Sequence, residues 1–394
     1  MTTTINNEQK KLNVPNLRFK EFQGEWEVES IKDVADFMGG GTPSSSNESF
    51  WQGTIPWVSS SDIVENDIKN ISISRYITEE AIAHSATKLC PAPSILIVSR
   101  VGVGKIALSK EAICTSQDFC NLINIKVEPI FLTYCLSQIM KRKSMEVQGT
   151  SIKGITTSEI QKISINIPSL QEQKKIGKIL SLLDERIATQ NKIIKDLKKL
   201  KSAIIEKLYK EIQGTWYSYR QLFSIINERN KQLEYSNVLS ASQERGMVSR
   251  EDLNLDIHFE RSNISTYKIV KNGDYVIHLR SFQGGFAFSE KTGICSPAYT
   301  VLRPNNLLVY GYLSNYFTSR DFVKSLIIVT YGIRDGRSIN VDEWLDMKVV
   351  IPSKEQQTHI VNVIESIENK IKNEETYSNC LLNQKQYLLR QMFI

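Results

Sequence analysis

The sequence lacks long apolar runs and paired cysteines. No apolar run reaches the roughly 18 residues that a membrane span needs, and the polar stretch from Met1 to Asn13 has no apolar core of the kind found in secretory signals. The six cysteines are scattered, without a Cys-x-x-Cys pair or a histidine at metal-ligand spacing. The sequence therefore predicts a soluble cytoplasmic protein with buried or idle thiols, and no metal site.

Catalytic motifs are missing as well. The sequence contains neither the Asn/Asp-Pro-Pro-aromatic tetrapeptide of adenine methyltransferases nor the Pro-Asp followed by Glu-x-Lys of many nucleases. The segment Gly102–Ala107 fits the loose Gly-x-Gly-x-x-Ala form of a dinucleotide fingerprint, but Leu108–Cys120 has no amphipathic stripe for the helix that should follow. We therefore expect no catalytic, cofactor or metal residues in this chain.

Composition sets only broad limits. With 394 residues, of which 41% are hydrophobic, the chain is long enough for two or three domains with sizeable cores. The 49 basic and 43 acidic residues give a net charge of +6, which suits a polyanion partner and equally suits many proteins that bind none. Charge alone does not decide the function.

An internal repeat organises the chain. The segment from Ile167 to Ile176 recurs 184 positions later as Ile351 to Ile360, and both copies continue into long helical patterns. Further upstream, Ser94–Arg100 pairs with Asp274–Arg280 at an offset of 180. The order is therefore globule, long helix, globule, long helix.

Each copy predicts a helix of about 40 residues, the first running from Gln171 to about Ile212 and the second from Lys354 to the end of the chain. A rod of about 60 Å with a narrow apolar stripe needs a partner helix. We expect the two helices to pack on each other in antiparallel orientation. The predicted seam residues are Ile176, Leu180, Leu183, Ile187, Ile194, Leu197, Ile204, Leu208, Ile360, Ile364, Ile367, Ile371, Leu381 and Leu388.

Polar residues interrupt this seam at Gln190, Lys201, Glu374, Ser378 and Lys385. They are either tolerated at partly exposed positions or fix the register and receive a partner protein. The first helix region also carries 11 basic and 6 acidic residues. These form either a solvated face or a surface close to DNA phosphates.

Short β-like runs such as Ser94–Val98 are separated by Gly- and Pro-rich turns and followed by shorter helical stretches near Ile130–Met145 and Leu308–Ser325. This pattern indicates an α+β globule, made twice. The predicted architecture is two α/β globules separated by two long antiparallel helices that form a coiled coil with a pseudo-twofold internal repeat. The expected divisions are a flexible N-terminus (1–13), a first globule (14–165), a first spacer helix (166–213), a second globule (214–350) and a second spacer helix (351–394).

Several motifs resemble those of type I restriction-modification specificity subunits. They are Val14-Pro15-Asn16-Leu17-Arg18-Phe19, Gly24-Glu25-Trp26, Gly40-Gly41-Thr42-Pro43-Ser44, Ile55-Pro56-Trp57-Val58 with Asp62-Ile63, and the two helix entries at Pro168–Gln173 and Pro352–Gln357. The resemblance covers nearly the whole chain. The second globule keeps Trp216 but has no copy of the Gly-Gly-Thr-Pro or Ile-Pro-Trp-Val stretch.

This resemblance implies a non-catalytic DNA reader, in which each globule, a target-recognition domain, reads one half of an asymmetric bipartite site. It also implies that the helices set the spacing and dock the methyltransferase subunits. The implied partners are double-stranded DNA, two adenine methyltransferase subunits and two restriction/translocase subunits. S-adenosylmethionine, ATP and Mg are expected on those partners and not on this chain.

Candidate DNA contacts follow from side-chain chemistry, because recognition loops share no residue pattern. They are Thr42, Arg100, Lys105 and Lys153 in the first globule, and Arg280, Arg334 and Arg337 in the second. A solvated side chain is the alternative for each. Two other functions stay open, namely an enzyme with its own nuclease or methyltransferase site, and a coiled-coil scaffold that binds only proteins.

Overall fold

The computed structural model of the chain describes residues 12–147, 154–242, 245–253, 261–278, 285–331 and 338–394. The chain divides into two compact units. Unit 1 comprises Met1–Gln190 and Tyr377–Ile394, and unit 2 comprises Asn191–Thr376. Residues 1–11 of the predicted flexible N-terminus lie outside the described residues.

The first globule belongs to unit 1. Its strands are β1 (Glu27–Ser30), β2 (Asp36–Gly39), β3 (Ile55–Val58), β4 (Arg75–Ile77), β5 (Leu89–Cys90), β6 (Ser94–Val98), β7 (Ile106–Ser109), β8 (Ile113–Thr115), β9 (Phe119–Ile123) and β10 (Ser164–Ile167). Its helices are α1 (Ile31–Val34), α2 (Glu79–Ala83), α3 (Pro129–Val147) and α4 (Thr157–Gln161), and α5 (Leu170–Lys210) begins in this unit.

Two four-stranded sheets form the body of this globule. The first has the order β2-β9-β6-β7 and is antiparallel, and the second has the order β4-β3-β8-β5 with β3 parallel to β8. The run Ser-Ile-Leu-Ile-Val of β6 is buried along its whole length because core clusters cover both faces of its sheet. A separate ribbon of β1 and β10 leads into α5.

The second globule belongs to unit 2. Its strands are β11 (Thr215–Ser218), β12 (Phe223–Ile226), β13 (Leu239–Ser242), β14 (Gly246–Ser249), β15 (Lys268–Val270), β16 (Tyr275–Ile277), β17 (Phe286–Phe288), β18 (Gly293–Cys295), β19 (Thr300–Pro304), β20 (Thr330–Tyr331), β21 (Ser338–Ile339) and β22 (Lys348–Ile351). Its helices are α6 (Tyr219–Leu222), α7 (Arg320–Ser325) and α8 (Val341–Asp346), and α9 (Lys354–Gln391) begins in this unit.

The main sheet of unit 2 repeats that of unit 1. Its order β12-β19-β16-β17 corresponds strand by strand to β2-β9-β6-β7, and the ribbon of β11 and β22 corresponds to that of β1 and β10. Single backbone hydrogen bonds recur as well. The amide of Ile31 donates to the carbonyl of Ile163 at 3.0 Å, and at the corresponding place in unit 2 the amide of Tyr219 donates to the carbonyl of Met347 at 3.0 Å. The internal repeat of the sequence is therefore a repeat of the fold.

The two long helices pack against each other in antiparallel orientation within each unit. In unit 1, Leu183 and Ile187 of α5 cluster with Leu381 of α9. In unit 2, Lys198 pairs with Glu375 at 2.7 Å and Lys201 pairs with Glu368 at 2.5 Å, so contacts move backward along α9 as they move forward along α5. The predicted α+β fold with antiparallel long helices is confirmed.

Burial of the predicted seam residues varies along the helices. Those buried in their own unit are Ile176, Leu180, Leu183, Ile187 and Leu381 in unit 1, and Ile360, Ile364 and Ile371 in unit 2. Those half-buried are Ile194, Leu197, Ile204, Leu208, Ile367 and Leu388. Beside two of them, Ile205 and Leu389 are buried, because there each helix packs into the core of a globule.

A buried glutamine anchors the start of each long helix to the globule before it. Gln173 accepts a hydrogen bond from the backbone of Glu128 at 2.9 Å and donates to Pro168 at 2.8 Å. Gln357 accepts from the backbone of Val309 at 2.8 Å and donates to Leu307 and Pro352, both at 3.0 Å. The repeated Gln of the two entry motifs therefore has a repeated structural role.

One predicted helix is shorter than its pattern suggests. The stretch from Leu308 to Ser325 forms turns, a short 3-10 helix at Tyr316–Thr318 and only then α7. Gly311 has a φ of +72°, which is incompatible with a right-handed helix at that residue. Among the described residues, no helix combines the length and apolar content required to cross a membrane.

Candidate nucleic-acid interface

One end of the main sheet of unit 1 brings together segments that are far apart in the sequence. Gly39 at the end of β2 lies opposite Cys120 at the start of β9, and Val98 at the end of β6 lies opposite Phe119. The loop after β2, the turn before β9 and the turn after β6 therefore meet at this end. We call it the loop edge of unit 1.

The Gly-Gly-Thr-Pro loop is held tightly at the loop edge. A Cβ atom on Gly40 would lie 2.1 Å from the carbonyl oxygen of Ser116, and one on Gly41 would lie 2.3 Å from the backbone of Ala86. Only glycine allows this approach of backbone to backbone. The amide of Gly41 also donates to the carbonyl of Thr115 at 2.8 Å.

Two tryptophans fix the loop from the other side. The indole N–H of Trp57 donates to the carbonyl of Gly41 at 2.9 Å, and that of Trp51 donates to the carbonyl of Ser44 at 3.1 Å. The rings of Trp51 and Trp57 meet edge to face with centroids 5.0 Å apart. The Trp of the Ile-Pro-Trp-Val motif thus holds the backbone of the Gly-Gly-Thr-Pro motif.

Three predicted contact residues lie at the loop edge of unit 1. Thr42 is exposed, and its hydroxyl donates to the side-chain oxygen of Gln117. Arg100 is exposed in the turn after β6, and its guanidinium has no ion-pair partner among the described residues. Lys105 is half-buried and donates to the carbonyl of Ser60 at 3.2 Å, so its ammonium is partly engaged by the protein.

The turn that contains Arg100 and Lys105 runs directly into β7. No helix begins there to receive a pyrophosphate, so the segment Gly102–Ala107 is not a dinucleotide fingerprint. What this geometry offers is a guanidinium exposed on a defined turn. Such a group can contact a phosphate or a guanine edge.

The other four predicted contact residues lie outside the described residues. Lys153 falls in 148–153, Arg280 in 279–284, and Arg334 and Arg337 in 332–337. Their assignment stays a prediction.

The segments that flank these gaps are described. Gly154 follows Lys153, and a Cβ atom on it would lie 2.5 Å from the carbonyl oxygen of Ser99 at the loop edge. In unit 2, β16 ends just before Arg280, at the matching end of the sheet where Ile277 lies opposite Thr300.

The matching end of the main sheet of unit 2, which we call the loop edge of unit 2, is built differently. The position that corresponds to Thr42 is Asn230, which is buried and donates to the backbone of Tyr235 at 2.8 Å. The position that corresponds to Gln117 in the turn before β19 is Pro297. The same backbone edge thus presents different chemistry in the two units.

Sequence analysis did not identify Gln117. It is exposed between Ser116 and Asp118 and carries no motif, and its position beside Thr42 depends on the pairing of β2 with β9. Nor did it identify the bidentate pair of Arg18 with buried Glu172, at 2.9 and 2.8 Å, which ties the chain before β1 to α5. The resemblance motifs contain both residues of that pair, which was the available signal.

Four buried cysteines are poor nucleophiles in this environment. Burial raises the pKa of Cys90 to about 11 and that of Cys114, Cys135 and Cys295 to about 12. Within the described residues, no group of three or more His, Cys, Asp and Glu side chains is arranged to hold a metal ion.

Comparison with known proteins identifies the first half of the chain. Residues 23–199 match the family described as the type I restriction modification DNA specificity domain. This segment is therefore similar to a type I DNA specificity domain. The match is to a recognition family and not to a catalytic one, and the predicted resemblance is confirmed.

Curated relatives of this specificity domain come from distant organisms. The chain is 30% identical over 229 residues to the type I restriction enzyme MjaIX specificity subunit of Methanocaldococcus jannaschii, covering 56% of this chain and 49% of that protein. It is 34% identical over 197 residues to the EcoR124I/EcoR124II specificity subunit of Escherichia coli, covering 47% of each. The chain therefore spans about half the length of these two relatives in the matched regions.

The fold likeness covers nearly the whole chain. The crystal structure of a type I restriction-modification S subunit from M. genitalium aligns with a TM-score of 0.56 and 15% identity, over 97% of this chain and 99% of that one. The fold of this chain is therefore similar to that of the aligned structure along nearly its whole length.

Proposed function

We propose that this chain is the DNA specificity subunit of a type I restriction-modification complex, working in the cytoplasm. Each globule reads one half of a bipartite target, and the chain itself catalyses no reaction. The observation that carries this proposal is the repeated sheet, whose loop edge presents Thr42 and Gln117 in unit 1, whereas in unit 2 the corresponding Asn230 is buried and Pro297 takes the place of Gln117. Two similar backbones that carry different side chains suit a DNA target whose two halves differ in sequence.

The chemistry of the loop edge supports contact with duplex DNA. Exposed Arg100 can bind a phosphate or the O6 and N7 atoms of guanine, and exposed Thr42 can bond to a base edge or a phosphate. The close packing of Gly40 and Gly41 against neighbouring backbone holds Thr42 in place at this edge. The predicted contacts Lys153, Arg280, Arg334 and Arg337 belong to the same proposal.

The long helices are proposed to set the gap between the half-sites and to dock two adenine methyltransferase subunits, with two restriction/translocase subunits completing the assembly. Exposed apolar side chains on the helix segments support a docking role, since Ile193 and Leu200 of α5 in unit 2 are 40% and 51% exposed and lie seven residues apart. Residues spaced by seven share one helix face.

The proposal is tested by mapping methylated adenines in the genome of the host with the gene intact and with it disrupted. A bipartite methylated motif that disappears on disruption and returns on complementation is the expected result. Unchanged methylation after disruption would remove the proposal.

The spacing role has a separate test. A four-residue insertion in both long helices, near Gln190 and Glu374, adds about 6 Å to each helix. The expected result is a longer gap between two unchanged half-sites in the methylation map. Altered half-site sequences would contradict the role of the helices as a spacer. The matched control is an insertion in only one helix, which misaligns the two long helices.

A further inference from the structure

We infer that Gln117 reads an adenine in the half-site of the first globule, and that Thr42 positions its amide for that contact. This inference rests on the proposed function and deepens it by naming a base-reading residue and the base that it takes. Gln117 lies at the loop edge of unit 1, where Thr42 and Arg100 are also exposed.

The backbone around Gln117 is fixed on every side. Ser116 donates its amide to the carbonyl of Val58 at 2.9 Å, and the carbonyl of Asp118 accepts from the amide of Ser99 at 2.8 Å. Phe119 closes the turn by donating to the carbonyl of Ser116 at 3.3 Å. The Cα atom of Gln117 is therefore held in place although its side chain points into solvent.

A buried residue supports this turn from below. Asn121, which is fully buried, donates to the hydroxyl of Thr115 at 2.7 Å, and Thr115 accepts from Gly41 through its carbonyl. The turn and the Gly-Gly-Thr-Pro loop are thus joined by bonds that do not involve Gln117. An exposed polar side chain on a rigid frame loses little conformational freedom when it binds a ligand, apart from its own rotamers.

The hydrogen bond from Thr42 orients the amide of Gln117. Because the Thr42 hydroxyl donates to the side-chain oxygen, the amide is held with its nitrogen in the same plane beside that oxygen, and this nitrogen has no partner among the described residues. A carbonyl oxygen has two lone pairs, so this oxygen can still accept a second bond. The side chain therefore offers one acceptor and one donor, side by side.

This pair of groups matches the major-groove edge of adenine. The oxygen of Gln117 would accept from the N6 amino group while the nitrogen donates to N7, which is the bidentate contact that glutamine makes with adenine. Guanine presents two acceptors at the same edge and cytosine presents a donor without the adjacent acceptor. The corresponding position of unit 2 is Pro297, whose side chain has no such groups, so the contact belongs to one half-site only.

The test uses the full-length chain, purified with the proteins that accompany it, and a pool of random duplexes. Selected sequences are compared for the wild type, Gln117→Ala, Gln117→Glu and Thr42→Val. Gln117→Ala should lower the preference for adenine by about 5- to 150-fold at a single base pair, the range expected for one bidentate contact, and should leave the other positions unchanged.

The conservative variants separate reading from folding. Gln117→Glu keeps the size but replaces the donor by an acceptor, so the preference at that base pair should change from adenine toward cytosine. Thr42→Val removes only the orienting hydroxyl and should relax the same base pair to a smaller degree. The matched control is Gln171→Ala, an exposed glutamine at the start of α5 in the same unit, which should leave the selected motif intact.

Each outcome decides between the two claims. If the wild type selects a bipartite motif and the Gln117 variants select the same motif, the assignment of Gln117 is wrong and the proposed function stands. Weaker binding of all sequences without a change in motif also overturns the assignment, since it indicates a backbone contact. If the wild type selects no motif, both the assignment and the proposed function fail.

Discussion

The cores of the two globules differ more than their backbones do. Five positions that correspond in the repeat are aliphatic in unit 1 and aromatic in unit 2, namely Ile31, Ala35, Ile95, Ile106 and Ile160 against Tyr219, Phe223, Tyr275, Phe286 and Trp344. In unit 2 the rings of Tyr219 and Trp344 stack with centroids 4.3 Å apart. A protein core accepts such changes when the total volume is redistributed together.

The polar anchors behave in the opposite way. Gln173 and Gln357 make corresponding bonds, and the pair Asp184–Lys385 of unit 1 corresponds to Glu368–Lys201 of unit 2. A hydrogen bond requires particular atoms at particular positions, whereas apolar packing requires only volume and shape. Directional bonds made by the long helices therefore preserve the repeat while the cores diverge.

The largest effect is expected from exchanging one core residue without its neighbours. Trp344→Ile places the residue of unit 1 in unit 2, but the surrounding rings leave a cavity equal to the difference in volume between the indole and the isoleucine side chain. We expect a loss of about 3 to 5 kcal/mol in the unfolding free energy of unit 2, measured by hydrogen exchange of its peptides in denaturant. The control Ile160→Val in unit 1 should cost about 1 kcal/mol. Equal small losses for both variants would contradict this account.

The second prediction compares the two ion pairs. Lys385 and Asp184 are 9% and 13% exposed and 2.5 Å apart, and the hydroxyl of Tyr134 donates to the same carboxylate at 2.6 Å. Burial and the neighbouring carboxylate keep the pKa of Tyr134 above its usual range, so that hydroxyl stays a donor. Lys201 and Glu368 are more exposed, at 26% and 43%.

Lys385→Met should therefore destabilise unit 1 by about 3 kcal/mol, because it leaves the Asp184 carboxylate buried without its cation. Lys201→Met should cost at most about 1 kcal/mol in unit 2, because water screens the exposed pair. Denaturant unfolding of the full chain, read by hydrogen exchange in each unit, measures both. A smaller loss for Lys385→Met than for Lys201→Met would refute the difference in burial as the cause.

The third prediction concerns the glutamine anchors. Gln173→Ala and Gln357→Ala each leave buried backbone groups without partners, and we expect losses of about 1 to 3 kcal/mol. The loss should be larger for Gln357, which makes three hydrogen bonds against two for Gln173. The same exchange measurement applies, with exposed Gln171→Ala as the control. A larger loss for Gln173 would show that bond number does not rank the anchors.

Much of the fold follows from local pattern. The apolar steps of three and four residues and the absence of proline predict a helix from Gln171 to about Ile212, and α5 runs from Leu170 to Lys210. The apolar run Ser94–Val98 is strand β6 at the predicted bounds. The prediction of a helical stretch from Leu308 to Ser325 was wrong for its first part, because a helical pattern does not reveal that Gly311 adopts a positive φ.

The candidate site could be predicted only in part. Thr42 and Arg100 were candidates because of their chemistry, and the sheet brings them to one edge. Gln117 lies 75 residues from Thr42 in the chain, so no local signal joins the two. Similarly, the sequence around Lys385 does not indicate that this lysine is buried. Its burial depends on Asp184 of α5 and Tyr134 of α3, which are far from it in the chain.

The order of amino acids was sufficient to indicate the duplication, the two long helices and the resemblance to a family, because periodicity and repeated motifs are local properties of a chain. Strand pairing decided which loops share an edge, and packing decided which polar groups are buried beside a partner. Both depend on contacts between residues far apart in the chain, whose free energy arises only when the chain has folded.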